Sequence, residues 1–149
     1  MPTRGERKTA HVYGAIAVES ARFDYVFADV FNGRTFLGFL KLLVQRYAGR
    51  KLFLIIDNGP CHNLDATGKV WLEQNAHRIA LHRLPPYSPE LNGIEGVWKA
   101  TRRAATHNRF FANTSERDAA LRATFRAFRR KPALLDGYVR RFRACKAPG

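Results

Sequence analysis

Leu52-Phe53-Leu54-Ile55-Ile56-Asp57-Asn58-Gly59-Pro60-Cys61-His62 is the stretch whose reading decides the fold. Five consecutive apolar residues end abruptly at an acid and a turn, the pattern of a strand running into a loop. A strand apolar on both faces is expected at the centre of a sheet covered by helices. Upstream, Phe36, Phe39, Leu40, Leu43, Val44 and Tyr47 fall at helical spacing, and Gly49 follows as a stop signal. Further back, residues 11–18 (HVYGAIAV) and 23–31 (FDYVFADVF) read as two strands of a hairpin, with a turn at residues 19–22 and a breaker at Asn32-Gly33.

Downstream, residues 66–76 read as a helix with Val70 and Trp71 inward, and residues 79–84 (IALHRL) as a further strand. Residues 85–91 (PPYSPEL) hold three prolines and are expected to be non-helical. Asn92 then opens a helix with Ile94, Val97, Trp98 and Ala105 on its apolar face, and helical patterns continue over residues 116–130 and 134–145. Strands alternating with helices after an initial hairpin indicate an α/β layered domain with a mixed sheet. The 149 residues suit one domain: a tail over residues 1–10, the sheet and its loops over 11–98, and a basic helical region over 99–149.

Composition narrows the partner. The formal net charge is +14, and 46% of residues are hydrophobic, enough for a packed core. Residues 99–149 carry 14 Lys and Arg against Glu116, Asp118 and Asp136, a net +11 in the last third. Charge of that sign and density points to a polyanion, most often nucleic acid. Cys61 and Cys145 form neither a disulfide framework nor a metal-ligand spacing, so a reduced, cytoplasmic setting is expected. The N-terminus lacks the apolar core of a signal peptide, and no apolar run approaches the ~20 residues that span a bilayer.

Two acids stand out by position. Asp57 ends the most hydrophobic strand, where an open α/β sheet places its site, although a lone acid there is often only a turn residue. Glu95 lies in the first turn of its helix, where Asn92-Gly93-Ile94-Glu95 also fits a capping box with Glu95 reaching back to the Asn92 amide. Taken together with the basic tail, the pair suits phosphoryl transfer on a polynucleotide, which uses oxygen-coordinated cations.

Residues 52–62 followed by residues 81–99 (LHRLPPYSPELNGIEGVWK) resemble the endonuclease domain of mariner-like insertion-sequence transposases, and the likeness extends over nearly the whole chain. The resemblance implies a ribonuclease H-like mixed sheet flanked by helices, and three acids, Asp-Asp-Glu, that bind magnesium or manganese. Asp57 matches the second acid and Glu95 the third; Gly93 stands where the family usually has proline. The family's first Asp lies on a strand upstream of the hairpin, and none of Glu6, Glu19, Asp24 or Asp29 matches it. The expectation is therefore a chain without the first, central strand and without the family's end-reading helix-turn-helix domains. Such a chain should be inactive alone. It would be either a DNA-binding remnant or one part of a split enzyme, associating with itself or with an upstream transposase polypeptide.

His62 matches a family position near the site, although a histidine after a turn is commonly a hydrogen-bonded loop residue. Lys99, Arg102 and Arg103 follow Glu95 on one helix and are the candidate phosphate contacts. Arg122, Arg126, Arg129, Arg130 and Lys131 form a second basic stretch. The expected partner is DNA, with no membrane and no small-molecule substrate, in a nucleoid-associated setting.

Overall fold

The computed structural model describes residues 10–106 and 110–143. Their order is β1 (His11–Ile16), β2 (Phe23–Ala28), α1 (Gly33–Arg46), β3 (Leu52–Ile56), α2 (Ala66–Gln74), β4 (Ile79–Arg83), α3 (Ile94–Thr101), α4 (Thr114–Arg130) and α5 (Ala133–Arg143). The architecture is mixed α/β, with two small sheets, β1–β2 and β3–β4. Contacts divide it into two compact units, residues 26–92 and residues 1–25 with 93–149.

In the 26–92 unit, α1 starts where Asn32 and Thr35 form a reciprocal capping box: the Thr35 amide donates to Asn32 Oδ1 at 2.9 Å and the Asn32 amide to Thr35 Oγ1 at 3.1 Å. Its buried face is Phe36, Leu37, Phe39, Leu40 and Leu43, each contributing about 1.5–3 kcal/mol by leaving water. Gly49 adopts φ +80° just beyond the helix, a left-handed conformation suited to glycine. Arg78 secures the same helix end, its guanidinium donating to the carbonyls of Val44 (2.9 Å), Tyr47 (3.2 Å) and Arg50 (3.2 Å). A cation there also complements the helix dipole.

Strands β3 and β4 run parallel, in register Leu52 with Ile79 through Ile56 with Arg83. Parallel pairing needs a crossover, which α2 supplies. Two expectations are corrected here. Among the described residues β3 has one ladder partner, β4, and only one of its faces is covered: Phe53 and Ile55 are 66% and 47% exposed, whereas Ile56 is buried. Strand alternation explains this, since both residues lie on the same face of the strand pair. Val70 is 51% exposed instead of inward. With only nine residues, α2 buries Gly68 and turns Val70 outward.

In the other unit, Phe23 of β2 is fully buried against Trp98 of α3 and Phe125 and Phe128 of α4, with ring centroids 6.1, 5.4 and 6.2 Å away. Tyr25 adds a 4.8 Å contact to Phe125. Such tilted and edge-on pairs add about 0.5–1.5 kcal/mol each beyond burial. Val97, Ala105, Leu121, Leu135 and Val139 complete this core. Trp98 is thus half-buried with its ring packed on Phe23 and Phe125, on the apolar face its helical position suggested.

Smaller boundaries also shift. The β1–β2 turn spans residues 17–22, closed by Ala17 N–H donating to the Arg22 carbonyl at 2.9 Å. Asp29 lies beyond the end of β2, and α2 stops at Gln74. Residues 102–106 continue α3 as one wide π-type turn. Glu6, His107 and Cys145 lie outside the described residues.

Candidate functional site

Asp57 directly follows β3, at the carboxyl ends of a parallel strand pair, where the strand carbonyls stop pairing and a loop must begin. Its Oδ1 accepts the Gly59 amide at 2.8 Å, an Asx turn, and faces His62 Nδ1 at 2.9 Å. The His62 ring packs on Phe36 of α1, centroids 4.8 Å apart. The imidazole is therefore held from both sides: Nδ1 lies 3.3 Å from the Asp57 main-chain carbonyl, its hydrogen-bond partner, and at ion-pair distance from the Asp57 carboxylate. His62 is thus a hydrogen-bonded loop residue whose partner is Asp57. The Asp57 side chain is 54% exposed, so the carboxylate is both oriented and accessible.

The neighbouring Asn58 joins the two halves of the sequence pattern. Its Nδ2 donates to the Leu84 carbonyl at 2.8 Å, and the Leu84 amide donates to the Ile56 carbonyl at 2.8 Å. The first bond needs an amide side chain; an aspartate could not donate. The loop after β3 is thereby tied to the start of the proline segment after β4. Arg83 adds bonds to the His62 carbonyl (3.0 Å) and Asn63 Oδ1 (2.8 Å). These ties had no signal in the sequence, because they join residues 20 to 26 positions apart. The segment itself contains a short 3-10 turn, Pro89–Leu91, which proline at its first position allows. That corrects the expectation of a wholly non-helical stretch. Tyr87 adopts φ +58° there and is fully exposed.

Cys61 sits in the 3-10 turn Pro60–His62. Burial, and next the negative charge of Asp57, push its thiol above the ordinary range.

Glu95 belongs to the other unit, in the first turn of α3, half-buried. The capping box expected from Asn92 does not form. The helix starts at Ile94 after Gly93, with no side-chain cap, and the Asn92 amide donates to the Pro89 carbonyl at 3.0 Å. The 3-10 turn has taken the donor that Glu95 would have capped. Lys99, Arg102 and Arg103 follow on α3 and the π turn, all exposed. Wide π turns are enriched at functional positions.

Carboxylate oxygens are the donors that hard divalent cations take. Asp57 and Glu95 each carry such oxygens, one residue in each unit, and His62 stands 2.9 Å from the Asp57 carboxylate. In number the donors fall short: among the described residues no group of three His, Cys, Asp or Glu gathers to hold a metal. Among those residues, too, no helix is long and apolar enough to cross a membrane.

Comparison with known proteins gives two results. A stretch of 107 residues is 28% identical to the insertion element IS630 uncharacterized 39 kDa protein of Shigella sonnei, covering 71% of this chain and 31% of that protein. The chain thus spans just under one third of that relative's length. The sequence profile of the DDE superfamily endonuclease family matches residues 1–117, which include β1 to α3 and both acid-bearing motifs. The chain belongs to the DDE superfamily of endonucleases.

Proposed function

We propose that this chain is the part of an insertion-sequence transposase that carries the second and third acids of the catalytic set, in a ribonuclease H-like domain. Asp57 and Glu95 would hold a divalent cation, magnesium or manganese. When bound, that ion would activate a water or a 3′-hydroxyl and neutralise charge on the scissile phosphate. Lys99, Arg102 and Arg103 hold backbone phosphates of the DNA near Glu95. The family's first Asp has no match among these 149 residues.

The observation that carries this reading is the state of Asp57. A carboxylate at the carboxyl end of β3 is held by the Gly59 amide, faced by His62 at 2.9 Å, left accessible, and flanked by Asn58, which ties the loop to the proline motif. A residue serving only a turn does not need the histidine. Glu95, meanwhile, makes no capping box, which leaves its first-turn position against the helix dipole as its structural role.

A second reading, a non-catalytic DNA-binding remnant, is favoured by the shortage of clustered donors among the described residues. Cleavage of transposon-end plasmid with magnesium or manganese separates the two. The expected result is no cleavage by the chain alone, and cleavage when it is combined with the polypeptide encoded immediately upstream, lost in Asp57→Ala and in Glu95→Ala. Cleavage by the chain alone that Asp57→Ala abolishes would show that no external acid is needed. Cleavage by the combination that neither substitution changes would remove both acids from the catalytic set. Salt-dependent DNA binding without cleavage in any combination would establish the remnant.

A further inference from the structure

Most of α4 and all of α5 lie beyond residue 117, where the family match ends. The orientation of α4 is fixed by what it buries. Leu121, Phe125 and Phe128 face the aromatic core around Phe23 and Trp98, so the opposite face is turned to solvent. Arg129 reaches Asp24, a carboxylate of β2 that is 1% exposed, at 3.8 Å, a second anchor for the same orientation.

On the outward face Arg122, Arg126 and Arg130 repeat every four residues, all three exposed. Like charges at that spacing repel by about 0.2–0.5 kcal/mol per pair. Of the acids of this helix, Asp118 stands four residues before Arg122, at the spacing where side chains pair, while no acid of the helix stands three or four residues from Arg126 or Arg130. Among the described residues Arg126 and Arg130 make no ion pair. Helix α5 differs: Asp136 stands 3.1 Å from Arg140 and 2.5 Å from Arg143 and offsets part of their charge. Of these two helices, α4 carries the longer exposed basic row.

We infer that the Arg122–Arg126–Arg130 row of α4 is a contact surface for the backbone of duplex DNA, separate from Lys99, Arg102 and Arg103. The choice of DNA rests on the transposase reading; the choice of surface and of its contact type does not. Eight residues of helix advance about 12 Å, a length over which duplex DNA presents roughly seven phosphate charges. Between the arginines the exposed residues are small or charged, Ala123 and Arg129 among them, and every aromatic of α4 is buried. Single strands are held by stacking on exposed aromatics, which this face lacks. Membrane surfaces are held by an apolar flank beside the basic one, and here that flank is inside the core. What remains is sequence-independent contact with phosphates.

The test is fluorescence anisotropy of a mixed-sequence duplex titrated with the full chain at several salt concentrations. Each phosphate contact contributes about 0.9 to the slope of log affinity against log salt. For R122Q/R126Q/R130Q, with an unchanged far-ultraviolet circular dichroism spectrum, the slope should fall by about 2–3. The control K41Q/R50Q/K69Q removes three exposed charges from the other unit, and its slope should fall by less than about 1. Should the triple variant not fold, R126Q alone should lower the slope by about 1. An unchanged slope in the folded α4 variants, an equal loss in the control, or tighter binding to single-stranded DNA, RNA or anionic vesicles than to duplex would each overturn the inference. Cleavage by the completed enzyme reports on Asp57 and Glu95 instead, so the two readings fail separately.

Discussion

Alanine in place of Gly96 sets two effects of opposite sign against each other. Within a helix, alanine is favoured over glycine by about 1 kcal/mol. The new Cβ, however, would stand 2.6 Å from Tyr138 Cδ1, 2.7 Å from its Cβ and 2.8 Å from its Cγ. Carbon atoms in contact prefer about 3.5–4.0 Å. The Tyr138 ring could swing aside, but its Cβ is fixed to the α5 backbone, so α3 and α5 must separate by about 1 Å. Overpacking of this kind costs about 1–3 kcal/mol, and more at the upper end when no rotamer relieves it. We therefore expect a net loss of about 1–2 kcal/mol. Urea unfolding followed by tryptophan fluorescence should show a lower midpoint at unchanged m, with the melting temperature down by roughly 2–8 °C. Gly38 in α1 is the control, since a Cβ there meets nothing within 4 Å; Gly38→Ala should gain up to about 1 kcal/mol. A Gly96→Ala protein as stable as the natural one, or more so, would show that the two helices are not packed through this glycine.

Two further outcomes are expected. Because the charge of Asp57 helps to raise the Cys61 thiol, Asp57→Asn should speed alkylation of Cys61 at pH 8 in a C145S background; an unchanged rate would mean the two groups do not feel each other. The open face of β3 should drive concentration-dependent self-association, so F53T/I55T, which keeps β-favouring residues, should sediment as a smaller species at the same loading. Equal sedimentation of the two proteins would place the association elsewhere.

Much of the fold was legible because its causes are local. The helical spacing from Phe36 to Tyr47, the stop at Gly49 and the apolar run at Leu52–Ile56 each needed only neighbouring residues. Asp57 was legible for the same reason, as the first polar residue after that run. What could not be read depends on partners far along the chain. The coverage of β3 is decided by which elements pack on each face, so Phe53 and Ile55 look no different in sequence from Ile56. The capping box at Asn92 failed because a 3-10 turn begun by Pro89 took the Asn92 amide first. The local pattern was sound, but an equally local competitor stood just before it. His62 was legible only as ambiguous; its two neighbours, Asp57 and Phe36, come from different elements.

The bond from Asn58 to the Leu84 carbonyl acts as one more rung beyond the last backbone pairing of β3 and β4. Asp57 and the proline segment are held to each other directly, and α2 and its flanking turns do not set their spacing. The connection between the two motifs can therefore lengthen or shorten with little effect on where the carboxylate stands. Substitutions at Asn58, by contrast, would let the two motifs drift apart even with every other residue intact. Related chains should accordingly vary in length after α2, at Asn75–Ala76, more than at Asn58, and an insertion there offers a place to attach a label without disturbing Asp57.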